Sequence, residues 1–193
     1  LVVGRMDQIR GRDVVIKVVR RMPNAKLLLV GDESFPVLGE GLSHPKSAVW
    51  RMELENLVQK LKLEKSLTFT GYLPDERLKC AYQRADVVVL PSVKEGFGLV
   101  IPEAWLYGKP VIVSREAGAS EIVMEGINGW AFTPRDYKEL ANELIRVLKK
   151  PRLARSMGNR GRETARSLSI SRGVHEVADV FREVIKSFGI RKK

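Results

Sequence analysis

The chain has 193 residues, 44% hydrophobic and 30% charged, which suits one soluble domain with a substantial core, with or without an appended helix, and excludes global disorder. No apolar run approaches the roughly 20 residues that cross a bilayer, and a lone Cys80 excludes an internal disulfide and a cysteine zinc site. The net charge of +11 favours an anionic partner (nucleotide, phosphorylated substrate, nucleic acid or acidic membrane surface), unless it only solvates helix surfaces.

The first predicted unit is a strand, a helix and a second strand. Leu1–Gly4 reads as the middle of a strand, so we expect an N-terminal half to precede it. The helix starts at Gly11 and stops at Pro23, and Lys26–Gly31 is the second strand. A dinucleotide-binding Rossmann site is disfavoured, because Gly4–Asp7 lacks the glycine fingerprint that such a site needs after its first strand.

A long loop and a third strand follow. Ser34–Pro45 is marked by glycine and proline and contains His44, which is more typical of a surface residue than of a catalytic one. A helix is expected from about Lys46 to Lys62, and Leu67–Thr70 is predicted as the third strand. The next helix begins near Pro74, with Cys80 and Tyr82 both expected to pack inward.

The central stretch is a buried strand, a glycine loop and a helix. Val87–Leu90 has the composition of a buried parallel strand, and Gly96 and Gly98 let the loop backbone approach a ligand closely. The start of the next helix suits a phosphate, and the flanking carboxylates of Glu95 and Glu103 suit sugar hydroxyls. The alternative is a tight turn whose Glu103 only complements the helix dipole.

The remaining elements complete an α/β pattern. Pro110–Val113 and Trp130–Phe132 are predicted strands, with a short helix from about Ala117 to Val123 between them. Tyr137–Lys149 is an amphipathic helix, and Pro151 begins a basic one. A last helix after Ser171 has an apolar stripe made of Val174, Val177, Val180, Phe181, Val184, Ile185 and Phe188.

Alternating strands and helices predict an α/β fold, a Rossmann-like, doubly wound parallel sheet of about six strands. Ligands of such sheets bind beyond the carboxyl ends of the strands, where the strand order reverses. If the order is 3-2-1-4-5-6, Arg5 after the first strand and the loop at Glu95 after the fourth converge on one crevice.

The segment E-G-F-G-L-V-I-P-E, from Glu95 to Glu103, resembles the E-x7-E signature of retaining glycosyltransferase family 4, group 1. V-G-R-M, T-G-Y-L-P-D-E, R-A-D-V-V-V-L-P-S, G-K-P-V-I and E-G-I-N-G-W agree with that family. The resemblance implies the C-terminal half of a GT-B enzyme: a nucleotide-sugar-binding domain over residues 1–165 and, over residues 166–193, a helix that crosses back to an N-terminal domain.

The resemblance also implies roles for individual residues. Arg5 matches the arginine that contacts the donor diphosphate, and Arg10 stands where the family usually has a lysine, which leaves phosphate binding intact but changes its geometry. Glu95 would lie beside the transferred sugar and Glu103 would hold the ribose, while Leu73 lies where the base is seated. The loop residues of the donor site are Gly96, Phe97, Gly98 and Leu99, and the last three would turn their N–H groups to the diphosphate and sugar.

The expected function is donor binding in a retaining glycosyltransferase that needs no metal or other cofactor. Glu95, Arg5 and Arg10 are the catalytic candidates, and the donor is a UDP-, GDP- or ADP-sugar. Alternatives are a GT-B epimerase or phosphorylase, or a non-catalytic nucleotide-binding module. Nucleic acid is disfavoured, because the basic stretches lack interleaved aromatic residues.

The acceptor is unassigned, and an anionic membrane or lipid-linked acceptor is one possibility. The expected location is the cytoplasm, with peripheral contact to the inner membrane face as an option. Without its N-terminal domain the fragment is expected to bind nucleotide and to transfer little or no sugar.

Overall fold

A computed structural model describes residues 1–32 and 45–188 of the chain. All of the predicted loop except Pro45, including His44, therefore lies outside the described residues. The described part is an α/β fold in which helices cover both faces of parallel strands.

The strands of the described residues are short and lie in two three-stranded parallel sheets, in the orders β1-β2-β3 and β4-β5-β6. Their bounds are β1 (Val2–Val3), β2 (Leu27–Val30), β3 (Leu67–Gly71), β4 (Val88–Leu90), β5 (Val111–Ser114) and β6 (Gly129–Phe132). The sheets meet at β1 and β4, where the nitrogen of Leu1 donates to the carbonyl of Val87 (3.0 Å) and Val89 donates to the carbonyl of Leu1 (2.9 Å). The strands thus follow the order 3-2-1-4-5-6 in space, which is the order assumed in the sequence analysis.

Helices connect the strands and continue beyond them. Their bounds are α1 (Arg12–Val19), α2 (Pro45–Leu61), α3 (Asp75–Arg84), α4 (Val100–Leu106), α5 (Tyr137–Leu148), α6 (Pro151–Ser167) and α7 (Ile170–Ser187). Pro102 lies in the first turn of α4, where a missing N–H leaves no bond unmade, and Gly108 follows the helix with a φ of +66°. Both features agree with the sequence prediction.

The core consists of two apolar clusters, one on each face of the strands. The first packs α1, α2 and α5 against β1, β2 and β6 around Ile16, Leu29 and Leu140. The second packs α3, α4 and α6 against β4 and β5 around Tyr82 and Trp105. Two covered faces explain why the strands are rich in Val, Ile and Leu rather than alternating with polar residues.

Helix α6 packs closely against α4 and the turn that follows it, because a glycine of α6 faces each of them. A Cβ atom on Gly161 would lie 2.0 Å from Cδ1 of Trp105, and one on Gly158 would lie 1.9 Å from the carbonyl oxygen of Gly108. Trp105 is fully buried, and its Nε1 donates to the carbonyl of Asn128 (2.9 Å). This contact holds α4, which carries Glu103, against the rest of the domain.

The apolar stripe of α7 is exposed along its length, with Phe188 76% and Phe181 63% accessible. Its expected use in crossing to another domain, and the predicted boundary between residues 165 and 166, stay predictions. None of the helices in the described ranges is long and apolar enough to span a membrane.

One prediction for α3 is wrong. Tyr82 is buried as expected, but Cys80 is exposed. Residues two positions apart in a helix are about 200° apart around its axis, so they cannot both face the core.

Candidate functional site

The residues after β1 and after β4 meet at one edge of the sheet. Because β1 and β4 are parallel neighbours, their carboxyl ends open on the same side. Val93 donates its N–H to the carbonyl of Ile9 (2.7 Å), and Gly11 fits against the carbonyl of Pro91, where a Cβ would lie 2.1 Å from the oxygen. These contacts bring the segment from Arg5 to Arg10 beside the loop at Glu95.

An ion pair joins these two segments directly. Nη1 of Arg10 contacts Oε2 of Glu95, and the same oxygen accepts a hydrogen bond from Oγ of Ser92 (3.4 Å). Both side chains are mostly buried, with 20% of Arg10 and 15% of Glu95 accessible. Burial lowers the pKa of Arg10, but an arginine remains charged at neutral pH.

Asp7 extends the pair into a line of four charges. Its Oδ2 lies 3.2 Å from Nη2 of Arg5, and its Oδ1 lies 3.9 Å from Nε of Arg10. Two cations predicted to bind phosphate therefore share one carboxylate, and Arg10 also contacts Glu95. The structure brings Arg5, Arg10 and Glu95 together, although it does not test their predicted roles.

The glycine loop is held open by the segment behind it. Gly118 donates to the carbonyl of Gly96 (3.1 Å) and Ala119 donates to that of Phe97 (2.6 Å), so the loop carbonyls are occupied from behind. A Cβ on Gly118 would lie 2.2 Å from the carbonyl oxygen of Gly96, so only glycine allows this approach. Gly98 has a φ of +94°, which also favours glycine.

The N–H groups of the loop are left available. In the described residues, no carbonyl or side chain accepts a hydrogen bond from the N–H of Phe97, Gly98 or Leu99. The side chains of Phe97 and Leu99 are exposed. A run of unpaired N–H groups beside two arginines is suited to an anion.

Glu103 lies in the first turn of α4 and is half-buried. Its Oε2 accepts a hydrogen bond of 2.7 Å from the hydroxyl of Tyr82, which is buried on α3. Burial, together with this hydrogen bond to Glu103, raises the pKa of Tyr82, so its hydroxyl remains a donor. The sequence predicted that Tyr82 faces inward but gave no sign of its partner.

Arg12 is a buried residue beside the start of the site, and its role was not predicted from the sequence. Nη2 of Arg12 donates to the carbonyls of Gly4, Arg5 (3.2 Å) and Val30 (3.0 Å), which joins the carboxyl ends of β1 and β2. Burial lowers its pKa to about 10, so the guanidinium is still charged at pH 7. A signal was available, because Arg12 lies four positions before Ile16 and so on the buried face of α1.

Leu73, the predicted base-binding residue, follows β3 at the same edge of the sheet and is half-buried. It is separated from Arg5 by β2, since the strand order is β1-β2-β3. Helix α3 begins two residues later and leads to Tyr82, beside Glu103. Binding of the base at Leu73 stays a prediction.

Within the described ranges, no three His, Cys, Asp or Glu side chains lie together in a way that could hold a metal ion. The expectation that the reaction needs no metal or cofactor stays a prediction.

Comparison with known proteins gives a consistent family. Residues 1–164 match the family described as glycosyl transferases group 1. The chain is 30% identical over 189 residues to a D-inositol 3-phosphate glycosyltransferase of Saccharomonospora viridis, covering 96% of the chain and 42% of that protein. The chain thus spans less than half the length of this curated relative.

Solved structures agree with this match. Anabaena Alr3699/HepE, in a crystal structure with UDP-glucose, superposes with a TM-score of 0.80 at 26% identity, covering 94% of this chain and 48% of that one. A C-terminal domain of a group 1 family glycosyl transferase (LpcC) from Francisella tularensis superposes with a TM-score of 0.74 at 22% identity, covering 86% and 84%. At that identity the second likeness shows the fold alone.

Proposed function

Since the chain belongs to the glycosyl transferase group 1 family, we propose that it is the donor-binding domain of an enzyme that transfers a sugar from a nucleotide-diphosphate sugar. The observation that carries the proposal is the meeting of two distant segments, Arg5–Arg10 and Glu95–Glu103, at one edge of the sheet. The relative bound to UDP-glucose has a similar fold, which supports a nucleotide-sugar as the ligand.

The diphosphate lies between the arginines and the glycine loop in this proposal. Arg5 and Arg10 supply positive charge, and the N–H groups of Phe97, Gly98 and Leu99 supply donors in fixed positions. Breaking the bond between sugar and phosphate leaves negative charge on the departing nucleotide. Groups already fixed in a cleft stabilise that charge without reorganising, so they lower the barrier to transfer.

The carboxylates hold the two sugars of the donor. Glu103, on α4, accepts hydrogen bonds from the ribose hydroxyls, and Glu95 lies beside the sugar that is transferred. The base of the nucleotide binds at Leu73. Retention of configuration at the anomeric carbon and independence of a metal ion are parts of the proposal that come from the family.

Arg10 has a competing partner before the donor binds. Its contact with Glu95 neutralises part of the positive charge of the site. The incoming diphosphate competes with Glu95 for Arg10, which frees the carboxylate to face the transferred sugar. One binding event therefore positions both the departing group and the acid beside the reacting carbon.

The complete reaction requires more than this chain. The acceptor site belongs to an N-terminal domain, and the exposed apolar stripe of α7 contacts that domain. The fragment alone therefore binds nucleotide and transfers little or no sugar. A cytoplasmic location, with the basic α6 available to an anionic membrane surface or a lipid-linked acceptor, is consistent with the net charge of +11.

Two other enzyme classes share the architecture, a nucleotide-sugar epimerase and a phosphorylase, and a non-catalytic nucleotide-binding module is the third alternative. Incubation of the full-length protein with UDP-glucose, GDP-mannose and ADP-glucose, with product analysis, separates them. A new sugar–acceptor bond supports a transferase. An epimerised nucleotide-sugar, or a requirement for inorganic phosphate, supports the alternatives.

The direct test of donor binding is calorimetry of this chain with UDP, GDP and ADP and their sugar derivatives. We expect one nucleoside diphosphate to bind at micromolar concentration and the matching nucleoside to bind at least tenfold more weakly. Equal affinity for nucleoside and nucleoside diphosphate, or no binding of any nucleotide, would overturn the proposal.

A further inference from the structure

A buried tyrosine holds the acid that is proposed to bind the ribose. Tyr82 is 2% exposed, and its hydroxyl donates to Oε2 of Glu103 over 2.7 Å. The two residues belong to different helices, α3 and α4, so the bond fixes the carboxylate relative to a second element. A hydroxyl that donates to a carboxylate forms one of the stronger classes of hydrogen bond in proteins.

The ring of Tyr82 cannot turn away easily. It stacks on the ring of Tyr107, with centroids 5.3 Å apart and planes 10° from parallel. Tyr107 follows the last turn of α4, and Glu103 lies in its first turn. Tyr82 therefore packs its ring at the end of α4 and donates its hydroxyl near the start of that helix. The donor is thus set in position by packing before any ligand arrives.

The other oxygen of Glu103 remains available to a ligand. Oε1 has no hydrogen-bond partner among the described residues and is not one of their buried, unpartnered atoms, so solvent reaches it. A free glutamate side chain samples many rotamers, and ordering it opposes ligand binding. In this protein one oxygen of Glu103 is held by Tyr82 and the other faces outward. The side chain therefore loses its conformational entropy on folding, and ligand binding does not have to order it.

We propose that Tyr82 is a positioning residue that fixes Glu103 for the vicinal hydroxyls of the ribose and so sets a preference for ribonucleotides over 2′-deoxyribonucleotides. The inference rests on the proposed function, because it assigns Glu103 to the ribose. A carboxylate held by one oxygen presents its remaining acceptor positions in one direction, which suits two adjacent hydroxyl donors. A 2′-deoxyribonucleotide leaves one acceptor position of Glu103 unpaired. A site built to bond a hydroxyl binds the analogue that lacks it much more weakly.

Tyr82→Phe removes the hydroxyl and keeps the ring. We expect the native chain to bind UDP at least tenfold more tightly than dUDP, with GDP/dGDP and ADP/dADP measured in parallel because the base is unassigned. In Tyr82→Phe this ratio falls about threefold to tenfold, because only the ribonucleotide uses the second hydroxyl. A purely structural role would weaken both nucleotides equally or lower the melting temperature alone.

Tyr107→Phe is the matched control. Its ring is the stacking partner of Tyr82, but its hydroxyl makes no hydrogen bond with the described residues. We expect the ribose preference to be unchanged. In a Glu103→Ala background the preference is lost, and adding Tyr82→Phe has no further effect if Tyr82 acts through Glu103.

The outcomes separate this inference from the proposed function. If the native chain binds none of these nucleotides, the proposed function fails. If it binds UDP and dUDP equally, or if Tyr82→Phe leaves the ratio intact, the inference fails while donor binding stands. If Tyr82→Phe does not fold, Glu103→Asp keeps the tyrosine and withdraws the carboxylate by one methylene; a retained ribose preference in that variant overturns the inference.

Discussion

The guanidinium of Arg10 contacts the carboxylate of Glu95, so the loop after β1 and the loop after β4 are joined by an ion pair. The pair is mostly buried and lies next to Arg5 and Asp7. Under the proposed function, a diphosphate would replace Glu95 as the partner of Arg10, and the net charge of the site would change on binding.

Glu95→Gln tests that competition. The glutamine keeps the shape but removes the charge that holds Arg10, so we expect UDP, which carries no transferable sugar, to bind about threefold to tenfold more tightly. Calorimetry at constant ionic strength measures the change. Glu55→Gln, which removes an ion pair with Arg51 on α2, is the control and should leave UDP binding unchanged. Weaker UDP binding in Glu95→Gln would contradict the competition.

Alanine substitution of Arg5 or Arg10 tests the phosphate contacts. Each substitution should weaken UDP binding by at least tenfold, because a charge-assisted hydrogen bond contributes about 1.5–3 kcal/mol, whereas binding of uridine should not change. Arg152→Ala, at an exposed arginine of α6, is the control for net charge. If all three variants weaken UDP binding equally, the effect is a general one of charge and no phosphate site exists at Arg5 and Arg10.

Arg12→Met tests the buried arginine. The methionine fills similar space but leaves the carbonyls of Gly4 and Arg5 without a donor and removes one of the two donors to the carbonyl of Val30, so we expect a loss of about 2–4 kcal/mol in the free energy of unfolding. Urea unfolding measures it. Arg20→Met removes an exposed hydrogen bond from the end of the same helix and should change stability by at most about 0.5 kcal/mol. A neutral Arg12→Met would show that water can satisfy these carbonyls.

Gly161→Ala tests the close packing of α6 on α4. A methyl group there would overlap the indole of Trp105, and overpacking of this kind costs about 1–3 kcal/mol. Gly173→Ala, in α7, meets no atom within 4 Å and should stabilise the helix by about 0.5–1 kcal/mol. The two variants make the same chemical change, so opposite shifts in melting temperature isolate the contact. If Gly161→Ala is more stable than the native chain, α6 and α4 can move apart without a loss of stability.

The buried hydroxyl of Tyr82 predicts a pH dependence. Its folded pKa is raised above the usual value of 10, so above pH 10 the unfolded chain releases a proton that the folded chain keeps. The unfolded state then binds fewer protons, and the free energy of unfolding falls as the pH rises, by up to about 1.4 kcal/mol per unit from this group. Urea unfolding between pH 9 and 11 should give a steeper decline for the native chain than for Tyr82→Phe. Equal slopes would show that the hydroxyl ionises freely.

Much of the fold follows from local pattern. The β-branched runs mark the strands, Gly108 marks the end of α4, and the helical spacing of apolar residues marks the stripe on α7. The meeting of Arg5 with the loop at Glu95 followed from one assumption, the strand order, because parallel neighbouring strands open on the same side. The structure confirms that order.

The contacts within the site were less predictable. Helical spacing assigns Tyr82 to a face, but not to a partner on another helix, so its bond to Glu103 could not be read from the sequence. The helical spacing puts Arg12 on the same face of α1 as Ile16, but the residue type favours exposure, because an arginine is rarely buried without an acid. Cys80 is exposed because it lies two positions before Tyr82 in α3, and residues with that spacing point to opposite sides of a helix.

The seam between β1 and β4 has a consequence for the whole domain. Few backbone bonds cross it, and the site sits on it, with Arg10 contributed by one half and Glu95 by the other. A nucleotide bound at the proposed site would contact residues of both three-stranded sheets and hold the two sheets together. Amide hydrogens on both sides, in β1 as well as β4, would then exchange more slowly together, which couples the cooperativity of unfolding to occupancy of the cleft.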